Sequence, residues 1–342
     1  MSQIRAWYQA FRYHFVPPSL LPAIVGGVLA WAIEGVFHPW YFLLTVIGVT
    51  INHLALNMTD DYYDFKNSVD LAKDQEINPY SGGSGTLTSG LIAPEKMLVA
   101  FTVGYIVTIV LGVYLSFMRG WTVFAIGVFG MGCAYFYTAP PIRYGYRGLG
   151  ELSQLVNFSL TIGLGAYYVQ AAKFSWEAVL VLLPLGFMMF SMITINEIPD
   201  EQQDREAGKM NLVVIFDART AVWLYGISMA IGYLIILFIP LLGSANFWVY
   251  LSLFTLPWFF RAFRIALHHF DDAARLSTAN LITIRVHNLT GILLIVAYLI
   301  HGALHGSELG MMWVPIVTLA ALYLPAALTV FFNIVPLKPA TG

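Results

Sequence analysis

The sequence predicts an all-α fold, a polytopic helical bundle in a membrane, and three observations carry that expectation. Of the 342 residues, 58% are hydrophobic and only 11% charged, with a mean hydropathy of +0.72; a soluble domain carries about 25% charged residues. Apolar runs of bilayer length recur from one end of the chain to the other. They do not alternate as barrel strands do, and lipid tolerates only backbones that satisfy their own hydrogen bonds, so the runs read as helices. Finally, the cations divide unequally between the two ends of those runs.

Taken in order, the first residues, RAWYQAFRYHF, set Trp7, Phe11 and Phe15 at four-residue spacing beside Arg5 and Arg12. That pattern predicts a short helix lying in the interface before the Pro17-Pro18 break. Ten spans follow, at about 19–36, 40–60, 94–118, 120–138, 151–171, 175–198, 218–242, 245–267, 285–304 and 311–334. With the N-terminus inside, all of the 17 Lys and Arg except Arg119 and Lys173 face the cytoplasm, a strong positive-inside bias. The expected unit is a single membrane domain over 1–342, with a nine-helix core in 1–304 and an extra helix and tail in 305–342. The single cysteine, Cys133, lies in the fourth span, so no internal disulfide is possible. No nucleic-acid partner is expected, and no protein partner is inferable.

The outward connections are short, whereas three inward ones are long: 61–93, 139–150 and 199–217. Chemistry is therefore expected at the cytoplasmic face. NMTDDYYDFKNSVD (57–70) ends the second span and NEIPDEQQDREAGKMN (196–211) ends the sixth. Asp60/Asp64 and Asp200/Asp204 share DxxxD spacing, which suggests two copies of a four-helix unit with their acids face to face. On a helix Asn57, Asp60, Asp61 and Asp64 share one face, and Asn196, Asp200 and Asp204 form a second ladder with Glu197 beside it. Stacked like charges need a counter-charge, and an oxygen-only ligand set suits Mg²⁺, which binds a few carboxylates together with a substrate's phosphates. Two facing clusters are thus suited to holding a diphosphate through bridging metal. Ionisable groups at membrane depth point to function.

Other loops carry possible partners for such a ligand. In YTAPPIRYGYRGLGE (137–151), Arg143 and Arg147 are candidates for phosphate oxygens, and Tyr144 and Tyr146 for shielding a carbocation. SGGSGTLTSG (81–90) reads either as an anion cradle or lid, or as a plain linker. Lys66 and Lys209 are further cationic candidates. His301 and His305 are four apart but lie at the outward end of the ninth span, and no histidines pair across helices as haem ligands would.

These residues resemble the UbiA superfamily of intramembrane prenyltransferases, and within it the branch that prenylates dihydroxynaphthoate for menaquinone. The likeness covers nearly all of 1–304. DDYYDFKNSVD is similar to the family's first motif, with Asp64 and Asp70 on its acids. GYRGLGE (145–151) looks like GYxGLGE. NEIPDEQQDREAGKMNLVV (196–214) resembles NNxRDxxxDxxxGKxTLxV at Asn196, Asp200, Asp204, Gly208, Lys209 and Leu212. The resemblance implies a helical bundle around a central cavity open to cytoplasm and lipid, in the cell membrane of a prokaryote. It implies Mg²⁺-dependent transfer of a polyprenyl group from polyprenyl diphosphate to an aromatic acceptor, with the metal on Asp60, Asp64, Asp70, Asn196, Asp200 and Asp204 and the isoprenoid tail among membrane lipid. Two departures stand out: Asp60 occupies the first motif's Asn position, and NPYSGGSGTLTSG lacks the arginine often found in that loop, a charge that Arg143, Arg147, Lys66 or Lys209 would have to supply. The acceptor stays open between a naphthoate and a hydroxybenzoate, a porphyrin or a glycerol phosphate lipid. A cation transporter is the alternative from another class.

Overall fold

The computed structural model describes residues 3–69, 78–323 and 325. It is helical throughout, with one isolated backbone bridge, Arg147 to Met210, among the described residues. In chain order the helices are α1 (Gln3–Ala10), α2 (Pro17–Glu34), α3 (Pro39–Lys66), α4 (Pro94–Arg119), α5 (Trp121–Phe136), α6 (Gly150–Leu155) and α7 (Gly165–Ala171). They continue as α8 (Trp176–Glu197), α9 (Glu201–Glu206), α10 (Leu212–Phe216), α11 (Ala218–Leu242), α12 (Leu256–His269), α13 (Ala273–Leu304) and α14 (Trp313–Thr318).

Six of these, counting α8 and α9 as one 31-residue run, are long and apolar enough to cross a bilayer; α5 is a shorter apolar helix. A fifth span is continuous from α6 to α7 through the π-helical segment Val156–Leu164, and the eighth enters α12 from the 3₁₀ segment Phe247–Thr255. The chain is an integral membrane protein. The first nine expected spans are present, with two changes of boundary. α3 continues six residues past 60, carrying the first acids on helix. α13 begins twelve residues before 285, where Asp272 caps it by accepting from the Arg275 N–H at 3.0 Å. The mixed composition of AARLSTANLITI hid that start. Residues 311–323 continue as α14 and a π turn, and the rest of the expected tenth span, 324 and 326–334, lies outside the described residues except for 325, which is helical.

Local chemistry explains several helix starts. Proline opens α2, α3 and α4, where its missing N–H costs nothing. Asp217 caps α11 through the Thr220 N–H at 2.8 Å, and Asn211 caps α10 through the Val214 N–H at 2.9 Å.

With no hydrophobic drive between helices in lipid, close packing and hydrogen bonds hold them together. α8 packs most extensively on α11, α3 on α4, and α13 on α2 and α12. Small residues mark the tightest crossings: a Cβ on Gly26 of α2 would fall against the Gly163 carbonyl, and one on Gly163 against Leu182 of α8. The face of α3 that meets α4 carries Ala55, Met58 and Tyr62, the last edge-on to Phe101 at 5.5 Å. The opposite face, His53, Asn57, Asp60 and Asp64, is left for a cavity.

Candidate active site

The two acidic clusters do meet. They line one cavity of about 130 Å³, which takes Asn57, Asp60 and Asp64 from α3 and Asn196, Glu197, Asp200 and Asp204 from the end of α8 through α9. Lys209 closes the ring, its ammonium 3.1 Å from Asp64 Oδ2. Burial alone would lower the Lys209 pKa, but Asp64, Asp204 and Asp60 outweigh it and hold the ammonium well above its ordinary value.

Both clusters are wired to the loops over the cavity. Ser81 donates to Asp200 Oδ1 at 2.6 Å, and the Ser84 N–H donates to Asp61 Oδ1 at 3.1 Å. Asn211 donates to Asp204 Oδ2 at 2.8 Å, and Asn280 donates to Asn196 Oδ1 at 2.7 Å. The 81–90 segment is accordingly a set of buried turns fastened to both clusters, which excludes the plain-linker reading.

Several expected site residues stand elsewhere. Asp61 does not line the cavity: one residue along the helix is a 100° turn, and its carboxylate faces Ser84 instead. Tyr146 lies outside the wall and donates to Asp64 Oδ1 at 2.5 Å; burial and then the Asp64 charge raise its pKa. Tyr144 borders a neighbouring chamber, where its hydroxyl donates to the Cys133 carbonyl at 2.6 Å. Arg147 reaches the Pro141 carbonyl at 3.4 Å, Lys66 lies over the Tyr62 ring, and Arg143 is also absent from the cavity lining. Asp70 lies outside the described residues. Asn57, Asp60, Asp64, Asn196, Asp200, Asp204 and Lys209 are the expected residues brought together.

Arg12, a cation outside the expected set, also lines the cavity. It reaches Asp60 Oδ2 at 3.5 Å and Asp61 Oδ1 at 3.7 Å from the turn after α1. Asn57 donates to the Phe11 carbonyl and Gln9 to the Ser84 carbonyl, both at 3.0 Å, so α1 is fastened over the cavity edge. Nothing local to RAWYQAFR signalled this, because the pairing spans 48 residues. His53 was also missed, although its spacing of four from Asn57 puts it on the acid face. GYRGLGE works as a brace: Glu151 Oε1 accepts the Leu212 N–H at 2.6 Å, and the Tyr146 carbonyl accepts the Met210 N–H at 3.3 Å. Gly148, at φ +72°, makes the turn that a side chain would strain and crowd against Ile215.

Among the described residues no three His, Cys, Asp or Glu side chains form a closed metal cage. The donor set nonetheless suits a hard divalent cation, which needs only one or two carboxylates beside phosphate and water. Among the described residues, Asp60 Oδ1 is buried without a hydrogen-bond partner, and Asp60 lines the cavity. From the cavity, His53, Leu56, Tyr137, Gln154 and Phe158 are shared with a second chamber. That chamber shares Val49, Asn52, Gly130, Thr161 and Ile162 with a third space of about 160 Å³, walled mainly by aliphatic side chains and glycines of α3, α4 and α5. An acidic mouth thus leads to an apolar groove.

The profile of the UbiA prenyltransferase family matches residues 19–284. The chain is 26% identical over 254 residues to the 1,4-dihydroxy-2-naphthoate octaprenyltransferase of Bacillus subtilis, covering 73% of this chain and 78% of the relative. It is 23% identical over 296 residues to the 2-carboxy-1,4-naphthoquinone phytyltransferase of Synechocystis, covering 86% and 93%. A solved UbiA homologue from Archaeoglobus fulgidus, bound to GPP and Mg²⁺, superposes with a TM-score of 0.57 at 13% identity, over 87% of this chain and 99% of that one. With the acids, both motif loops and nine-tenths of the cavity wall inside the matched span, the chain belongs to the UbiA prenyltransferase family and is an integral-membrane prenyltransferase.

Proposed function

We propose that the chain transfers a polyprenyl group from a polyprenyl diphosphate to an aromatic quinone precursor, 1,4-dihydroxy-2-naphthoate, in menaquinone biosynthesis. The carrying observation is the continuity from acidic mouth to apolar groove: one end suits a metal-bound diphosphate and the other a hydrocarbon tail. Relatives named for naphthoate acceptors support the choice of ring. An enzyme family sets aside ion transport. The cation count argues for an inside N-terminus and a cytoplasmic site in a prokaryotic plasma membrane, with 1–342 as one membrane domain.

In this reading Asp60, Asp64, Asn196, Asp200 and Asp204 would hold Mg²⁺, which when bound neutralises charge on the departing diphosphate. Arg12 and Lys209 add fixed positive charge where that group sits, and such preorganised charge favours the transition state over the ground state. Asn57 and Asp61 position Arg12 and the 81–86 turns. The buried walls, Tyr137 and Phe158 among them, exclude water from the allylic carbon and so favour ring alkylation over hydrolysis. The tail lies along the apolar groove, so its carbons need not leave lipid.

The test is turnover by purified protein with geranylgeranyl diphosphate, several acceptors, and Mg²⁺ or EDTA. Magnesium-dependent prenylation of 1,4-dihydroxy-2-naphthoate is expected. Transfer to a different acceptor overturns the choice of ring, and transfer undiminished by EDTA overturns the metal.

A further inference from the structure

Between the acidic cavity and the apolar groove lies the second chamber, about 60 Å³, walled in part by Asn52, His53, Ser153 and Asn157. It is the neck of the route from diphosphate to tail, where the first prenyl carbons would meet the acceptor. Three buried polar atoms on its lining residues have no partner: Asn52 Oδ1, His53 Nε2 and Asn157 Oδ1.

Neighbouring groups dictate which way the Asn157 amide faces. Its Nδ2 donates to both the Ser153 carbonyl and Ser153 Oγ at 2.9 Å. Ser153 Oγ donates to the Tyr144 hydroxyl at 2.8 Å, which donates to the Cys133 carbonyl at 2.6 Å. Turning the amide over would set its oxygen against the Ser153 carbonyl oxygen. Asn157 therefore offers an oxygen that accepts and cannot donate. His53 is held from the α2 side by Ser19 Oγ, 2.5 Å from Nδ1.

Among the described residues the chamber's lining includes no Lys, Arg, Asp or Glu. A hydrocarbon tail alone would leave the carboxamide oxygens unpaired, which costs free energy. A carboxylate would enter without a counter-charge, which costs more. A neutral hydroxyl supplies the hydrogen that either oxygen lacks. We propose that this chamber binds a ring hydroxyl of the aromatic acceptor, with Asn157 and Asn52 as specificity-determining residues. The assignment rests on the prenyl-transfer reading above; it adds that the acceptor enters hydroxyl-first, with any carboxylate left toward Arg12 and Lys209.

The experiment compares wild type, Asn157→Leu and Asn52→Leu with geranylgeranyl diphosphate and three acceptors: 1,4-dihydroxy-2-naphthoate and its two mono-O-methyl ethers. Each variant is expected to raise KM for the dihydroxy acceptor about tenfold, equivalent to about 1.4 kcal/mol, with KM for the diphosphate unchanged. With the ether that lacks the bound hydroxyl, wild type and variants should converge, a result that general damage to folding does not produce. Unchanged acceptor KM in both variants, or an equal penalty on all three acceptors, overturns the proposal. Wild type that prenylates no aromatic acceptor overturns the prenyl-transfer reading itself, and that failure is visible without any variant.

Discussion

Asp64 is where the residue-level chemistry concentrates. It accepts from Tyr146, pairs with Lys209 and lines the cavity one turn beyond Asp60. Replacing it with Ala should lower kcat by about 100-fold or more, the scale on which removal of one preorganised electrostatic group is felt; near-normal turnover by correctly inserted protein would sink the two-cluster metal site. Lys209→Met should instead raise KM for the diphosphate about ten- to a hundredfold, since a charge-assisted hydrogen bond is lost. The pH dependence follows from the same neighbours. A lysine whose folded pKa is raised keeps its full contribution below its ordinary value of 10.5 and loses it only as pH rises through the higher folded value. KM for the diphosphate should therefore stay flat between about pH 7 and 9, and a rise measured in that window would show Lys209 titrating. The acid ladder was readable because i, i+3 and i+4 positions share a helix face. The departure of Asp61 was not, because which neighbour waits on an adjoining face is a tertiary fact.

At the scale of elements, α2 crosses closely over the π-helical segment that carries Asn157 and Phe158 to the second chamber. Gly26 and Gly163 permit that approach, and neither is needed for an unusual φ. Gly26→Leu should destabilise by about 1–3 kcal/mol through overpacking, whereas Gly132→Ala in α5, where a Cβ meets nothing within 4 Å, should leave the thermal midpoint level or slightly raised. Thermal melts followed by gel filtration in detergent distinguish the two, and equal midpoints would remove the crossing as a constraint. Helix existence was legible from apolar runs alone. The beginning of α13 and the π and 3₁₀ segments were not, because they depend on a cap and on packing partners rather than on run length.

For the whole molecule, the cation distribution makes a topological prediction. In a Cys133→Ala background, cysteine at Arg205 should be labelled only from the cytoplasmic side and cysteine at Lys173 only from outside; both side chains are more than half exposed. Labelling of both from one side would overturn the orientation and with it the cytoplasmic site. The same bundle carries Arg12 and Lys209 to the first acids from 48 and 145 residues away.

The sequence by itself determined the membrane class, the nine-helix order, the two acid ladders and the polar loops that join them, because each depends on residue type and spacing within one segment. Tertiary structure alone decided which cations lie beside the acids, that Asp61 and GYRGLGE brace the loops over them, and that unpartnered carboxamide oxygens line a chamber between acids and groove. Those facts arise where helices far apart in the chain present side chains to one space, and no local spacing records which partner will be there.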